Sequence, residues 1–149
     1  MYNYEVIALV KSGMLDITAN DLDAKSAYQV YKFKKALRSA NDSIAVEERE
    51  ILSELEIGDP VEFDNRHKEL LAKEDKTKEE MLELQKRSET AARFYEMLTA
   101  LHNEVSVVST TPISYEQWHI LQKENAANGK FLYGKTEELL EDLLWAEPE

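Results

Sequence analysis

Across 149 residues, 43% hydrophobic and 32% charged side chains with only four Gly and three Pro exclude a collagen-like, low-complexity or wholly disordered chain. With no Cys there is no disulfide scaffold, thiol nucleophile or thiolate zinc site, and 30 acidic against 18 basic residues leave a net charge of −12, which disfavours non-specific nucleic-acid binding. No apolar run approaches the ~20 residues that span a bilayer, and the opening MYNYEVIALVKSG lacks the basic start of a signal peptide, so the expectation is one cytoplasmic domain.

Residues 2–10, rich in β-branched and aromatic side chains with partial alternation, predict a strand. Lys11-Ser12-Gly13 reads as a turn, and 14–18 as a second short strand. Asn20 or Asp21 is then placed to cap a long helix. From Leu22 to Ile57 the apolar period becomes helical, with Val30, Leu37, Ile44 and Ile51 seven apart and Ala27, Phe33, Ala40 and Leu55 between them. Gly58-Asp59-Pro60 stops that helix.

Helical spacing resumes near Phe63 and continues to Glu104 through Leu70, Thr77, Leu84, Ala91 and Leu98. The stretch 73–80 is polar all round, and Thr77 with Glu80 forms a capping-box pattern. A single bent helix is favoured over a break near Asp75. Two long helices joined by a three-residue stop predict an antiparallel, coiled-coil-like hairpin over about 21–57 and 61–104. Its register sets Lys35 beside Glu83, Arg38 beside Glu80 and Glu50 beside Lys68.

Residues 105–110 predict another strand, ended at Thr111-Pro112. Ser114 and Gln117 open a short helix with Tyr115, Trp118 and Leu121 on one face. Asn125 to Gly129 reads as a loop, and Thr136 caps a last helix. The fold expected is therefore α+β and mainly α. A hairpin stalk (21–104) stands on a base (1–20 and 105–149) containing a small sheet and two short C-terminal helices.

Few motifs carry chemistry. Glu116-x-x-His119 has the spacing of one half of a di-iron site, but no second copy exists, and His67 and His102 have no such context. Glu79, Glu80 and Glu83, and again Glu137, Glu138 and Glu141, repeat the E-E-x-x-E pattern that resembles the magnesium-binding motif of all-α nucleotide pyrophosphohydrolases. In a Glu-rich chain the solvated-face reading outweighs it. No phosphate loop, nucleophile elbow or H-E-x-x-H is present. No catalytic residue, cofactor or metal is therefore assigned, and a non-enzymatic role is expected.

Lys25, Lys32, Lys34, Lys35 and Arg38 lie without an intervening acid and alternate with Tyr28, Tyr31 and Phe33. A nucleic-acid patch is one reading. The favoured one pairs these cations with acids of the second helix. Acidic mimicry of nucleic acid, the opposite function, suffers from the mixing of Glu with Lys through both helices. Leu139, Leu140, Leu143, Leu144 and Trp145 form the apolar side of an acidic C-terminal helix and are candidate partner-binding residues. The seams Val30/Leu37/Ile44 and Leu84/Ala91/Leu98 are candidate contacts of a homodimer.

The segment ITANDLDAKSAYQVYKFKKAL, the charged hairpin, and NEVSVVSTTPIS leading into a short helix together resemble small phage- and prophage-encoded helical-hairpin proteins of unknown function, over residues 15–125. The resemblance implies a phage-derived origin and a structural or accessory role, exerted through protein–protein contacts.

Overall fold

The computed structural model describes residues 1–108, 111–127 and 129. Among these it contains helices α1 (Asn3–Lys11), α2 (Ala24–Glu54), α3 (Pro60–Ala72), α4 (Lys78–His102) and α5 (Tyr115–Ala127), with one 3₁₀ turn at Met14–Asp16. The expected α+β class is overturned, because no strand or sheet occurs among the described residues. All that remains of it is one antiparallel bridge between Tyr2 and Val105, flanked by the Ser106 amide donating to the Met1 carbonyl at 2.8 Å.

Residues 3–11 form a helix in spite of their β propensity because burial follows a three-residue step. Asn3, Val6 and Leu9 all point inward, and a strand would have sent Val6 and Leu9 to opposite faces. The Glu5 carboxylate also reaches back to the Tyr2 amide at 2.9 Å, satisfying a donor at the helix start. Gly13, at φ 86°, ends the segment, and the expected second strand is instead the 3₁₀ turn that buries Met14.

Two compact units follow, Met1–Ser43 with Val105–Glu149, and Ile44–Glu104. Their boundary falls inside α2. In the first unit Val6, Leu9, Met14, Ile17, Val30, Phe33, Leu37, Trp118 and Leu121 are each at most 2% exposed. The cap of α2 is Asp23, two to three residues later than expected, and its carboxylate accepts from the Ser26 amide at 2.7 Å. That bond is the main reason its pKa lies below the ordinary value.

The second unit corrects the hairpin. Helix α2 ends in a Schellman arrangement, with the Ile57 amide on the Leu52 carbonyl and the Glu56 amide on that of Ser53. This puts Glu56 in the left-handed position that closes the helix, at φ 55°, while Gly58 takes a second left-handed turn two residues on, at φ 69°. Replacing Glu56 with Gly removes that strain, partly offset by greater freedom of the unfolded chain. It is expected to raise stability by about 0.5–1 kcal/mol, measured by thermal denaturation. Asp59 then caps α3, its carboxylate accepting from Val61 and Glu62 amides at 2.8 and 3.3 Å, with Pro60 at the first helical position. The stop is equally a start.

Residues 61–104 are not one helix. Thr77 and Glu80 make the full capping box, at 3.1 Å from the Glu80 amide to the Thr77 hydroxyl and 3.2 Å from the Thr77 amide to the Glu80 carboxylate. Lys73 bridges the break to Glu80 at 2.6 Å. This bond, with that from the Thr77 amide, lowers the Glu80 pKa to about 2. A carboxyl depressed in the folded state stabilises it above the ordinary value of 4.5, and that contribution drains away as pH falls toward 2. An acid titration of unfolding is therefore expected to show a loss of stability across this window that is smaller in Glu80→Gln, by the share this carboxylate contributes.

The partners of α4 locate the chain reversal. Glu80, Glu83, Arg87 and His102 of α4 meet Lys73, Arg66, the Phe63 carbonyl and Glu48 in turn. Going forward along α4, its partners go steadily backward through α3 and into α2. Both the end of α2 and all of α3 therefore run antiparallel to α4. The chain reverses at 73–77, and Gly58–Pro60 is a step between segments with the same sense. The expected pairs Lys35–Glu83, Arg38–Glu80 and Glu50–Lys68 are absent among the described residues; Lys68 instead holds Asp64 at 2.8 Å.

Candidate functional site

Placement of the motif residues removes most candidates. The Glu80 carboxylate is taken by Lys73 and the Thr77 amide. Glu83 receives two parallel bonds from Arg66, both at 3.0 Å, and a third at 3.0 Å from Arg87. Its pKa is held below the ordinary range chiefly by the Arg66 bonds. Carboxylates so neutralised are poor ligands for a hard cation. Among the described residues no group of three or more His, Cys, Asp or Glu could hold a metal. Glu116 and His119 are both exposed, and the His119 ring packs edge-on against Tyr115 at 4.2 Å. His102 is engaged by Glu48 at 2.9 Å.

A cleft of about 570 Å³ lies between the α2–α3 step and α4, lined by Phe63, Arg66, Glu83 and Arg87. The Arg87 guanidinium sits 5.0 Å from the Phe63 ring centre while bonded to Glu83. These charges answer one another across the cleft and brace α3 on α4.

The two expected dimer seams have different fates. Val30, Leu37 and Ile44 are buried within the chain's own core. Leu84, Ala91 and Leu98 are half-buried. Leu139, Leu140, Leu143, Leu144 and Trp145 lie outside the described residues.

What remains is the basic and aromatic segment of α2. Burial of Ser26, Val30, Phe33 and Leu37 turns one helix face inward, so Tyr28, Tyr31, Lys32, Lys35 and Arg38 are left exposed. Lys34 leans inward to the Ile17 carbonyl at 2.7 Å. Tyr28 and Tyr31, 56% and 58% exposed, stack on each other with ring centres 6.2 Å apart. The Lys32 ammonium lies 5.3 Å from the Tyr28 ring centre. The acids expected to answer these cations, Glu80 and Glu83, are held by Lys73, Arg66 and Arg87. No ion pair reaches Lys32, Lys35 or Arg38 among the described residues.

This face carries a groove. One hollow of about 440 Å³ is lined by Tyr28, Tyr31, Lys32, Lys35, Ala36 and Ser39. A neighbouring one of about 390 Å³ shares Ala36 and Ser39 and adds Ala40, Ser43, Ser106 and Val107. The helix that bears it is anchored by α5 through a set of bonds that sequence reading missed, since Asn125 was assigned to a loop. The Gln117 side chain accepts from the Asp23 amide at 2.9 Å. Buried Glu124 accepts from the Thr18 hydroxyl and the Asp21 amide. Asn125, fully buried, accepts from the Thr18 amide and donates to the Thr18 carbonyl, both at 2.9 Å.

Comparison of the chain with family models, with curated proteins and with solved structures returned no match. Among the described residues, no helix is long and apolar enough to cross a membrane.

Proposed function

We propose that the chain is a non-catalytic interaction protein, an accessory or assembly component, that engages another protein through the exposed face of α2. One observation carries the reading: Tyr28, Tyr31, Lys32, Lys35 and Arg38 stay at the surface while the acids that would have neutralised them are committed to α3 and α4 cations. Tyr28, Tyr31 and Arg38 are of the residue types that dominate binding energy at protein interfaces, and Lys32 and Lys35, without an ion-pair partner among the described residues, add charge that can steer a partner. The engaged state of Glu80 and Glu83 weighs against the pyrophosphohydrolase alternative, and their pairing with bases weighs against rows of acid that mimic nucleic acid.

The test is a photo-crosslinking residue placed at position 31 in the expressing cell, with position 95 as the control because Tyr95 is also exposed, at 71%. A discrete adduct from position 31 and none from position 95 supports the reading, and its mass separates a second copy from a different partner. Equal labelling at both positions, or none at 31, refutes it.

A further inference from the structure

We infer that the groove on α2 seats an acidic amphipathic helix of a partner protein. The inference rests on the reading above and adds the chemistry of the partner.

Shape is the first ground. From Tyr28 to Ser43 the floor along α2 is made of Ala36, Ser39, Ala40 and Ser43, side chains small enough to let another backbone approach closely. The stacked tyrosines line the first hollow, and Val107, 87% exposed, lines the second. The two hollows share Ala36 and Ser39, and the stretch of α2 they cover, fifteen residues at ~1.5 Å each, is about 22 Å or four turns of helix. Apolar anchors at helical spacing would meet the tyrosines and Val107, the usual mode of a helix laid in a groove.

Charge is the second. Lys32 and Lys35 line the trough, with Arg38 exposed one turn on from Lys35. Their cations are spaced to meet carboxylates three or four residues apart on an opposing helix. The basic stretch is also closed at both ends, by exposed Asp23 before it and exposed Asp42 one turn beyond Arg38. A polynucleotide carries its charge without interruption and would run onto these acids in a chain of net charge −12. The carboxylates of a helical partner can be confined to the two turns that face Lys32, Lys35 and Arg38, short of both acids.

The test uses the full chain and three fluorescent probes: a fifteen-residue Glu/Leu amphipathic peptide, a scrambled peptide of the same composition without amphipathic spacing, and a twelve-nucleotide oligothymidylate. Anisotropy titration is expected to show saturable binding of the amphipathic peptide only. Lys32→Glu with Lys35→Glu should weaken it by about tenfold or more, with unchanged circular dichroism and melting temperature. A Lys/Leu peptide of the same spacing should bind the double variant better than it binds the native chain, a gain that, with circular dichroism and melting temperature unchanged, reports the reversed charge of this face. Lys32→Gln with Lys35→Gln should fall between. Equal binding of scrambled and amphipathic peptides overturns the inference. Preference for the oligonucleotide, lost in the double variant, replaces the partner class with nucleic acid. If no probe binds although position 31 crosslinks a protein in cells, the face stands and the acidic-helix chemistry falls. If neither occurs, both readings fall together.

Discussion

Replacing Asn125 with alanine is expected to cost the Met1–Ser43 and Val105–Glu149 unit about 2–4 kcal/mol. Asn125 is the point at which α5 holds the loop ahead of α2. Its amide group meets the backbone of Thr18 as one strand meets another, accepting and donating at 2.9 Å, and it donates a further bond to the Leu121 carbonyl at 2.8 Å. Alanine leaves the Thr18 amide and carbonyl without these partners, and stranded polar groups cost about 1–3 kcal/mol each when shielded from water. Urea denaturation followed by tryptophan fluorescence reads the loss. Asn125→Asp discriminates the cause. A carboxylate still accepts from the Thr18 amide but faces the Thr18 and Leu121 carbonyls with negative charge, so it should destabilise at neutral pH and recover partly on acidification. A cost below about 0.5 kcal/mol for alanine would remove the clamp from the account.

Glu124, beside it, gives the same clamp a pH dependence. Burial pushes its pKa upward, but bonds from the Thr18 hydroxyl and the Asp21 and Asn20 amides together outweigh that and hold it below 4.5. With the folded pKa depressed, its stabilising contribution is present above 4.5 and fades as pH falls below that value.

Leu70→Ala is the second large effect, expected at about 3–5 kcal/mol and confined to the Ile44–Glu104 unit. That unit has few buried hydrophobic side chains, namely Ile44, Ile57, Leu70 and Leu101, of which Leu70 alone is wholly shielded from solvent, and Leu70 is the one that α3 contributes. Truncating a buried leucine removes its transfer energy and leaves a cavity. In so thin a core there is little to compensate. Amide exchange resolved by segment is expected to speed up across α3 and α4 while α1 and α5 keep their protection. Equal acceleration everywhere would mean that the two units do not unfold separately.

How much was legible beforehand is best seen at the helix ends. The Thr77–Glu80 box and the Ser114 start are chemical statements made within four residues, and each does its work where the sequence puts it; Gly58-Asp59-Pro60 reads as a stop alone, and the start that Asp59 makes of it is seen only in the structure. Residues 2–10 failed because β-branched content was weighed above the three-step spacing of Asn3, Val6 and Leu9. The polar run 73–80 was read as a bend in one rod, although a full capping box satisfies donors that only a helix start leaves open. The α5 clamp left a weaker signal, for Glu124 and Asn125 resemble any polar pair until their partners a hundred residues away are known.

The sequence by itself determined that most of 22–104 is helical, where α5 begins, which side of α2 turns inward, and that a stretch of cations and tyrosines would lie on the other side. Those properties depend on neighbours within a turn or two. Only the tertiary structure decided where the chain doubles back and which acids answer which bases. A stop such as Gly58-Asp59-Pro60 ends one helix and starts the next without setting the angle between them; packing sets that angle. Once α4 ran back along α3, Glu80 and Glu83 were engaged by Lys73, Arg66 and Arg87, and Lys32, Lys35 and Arg38 of α2 were left facing outward.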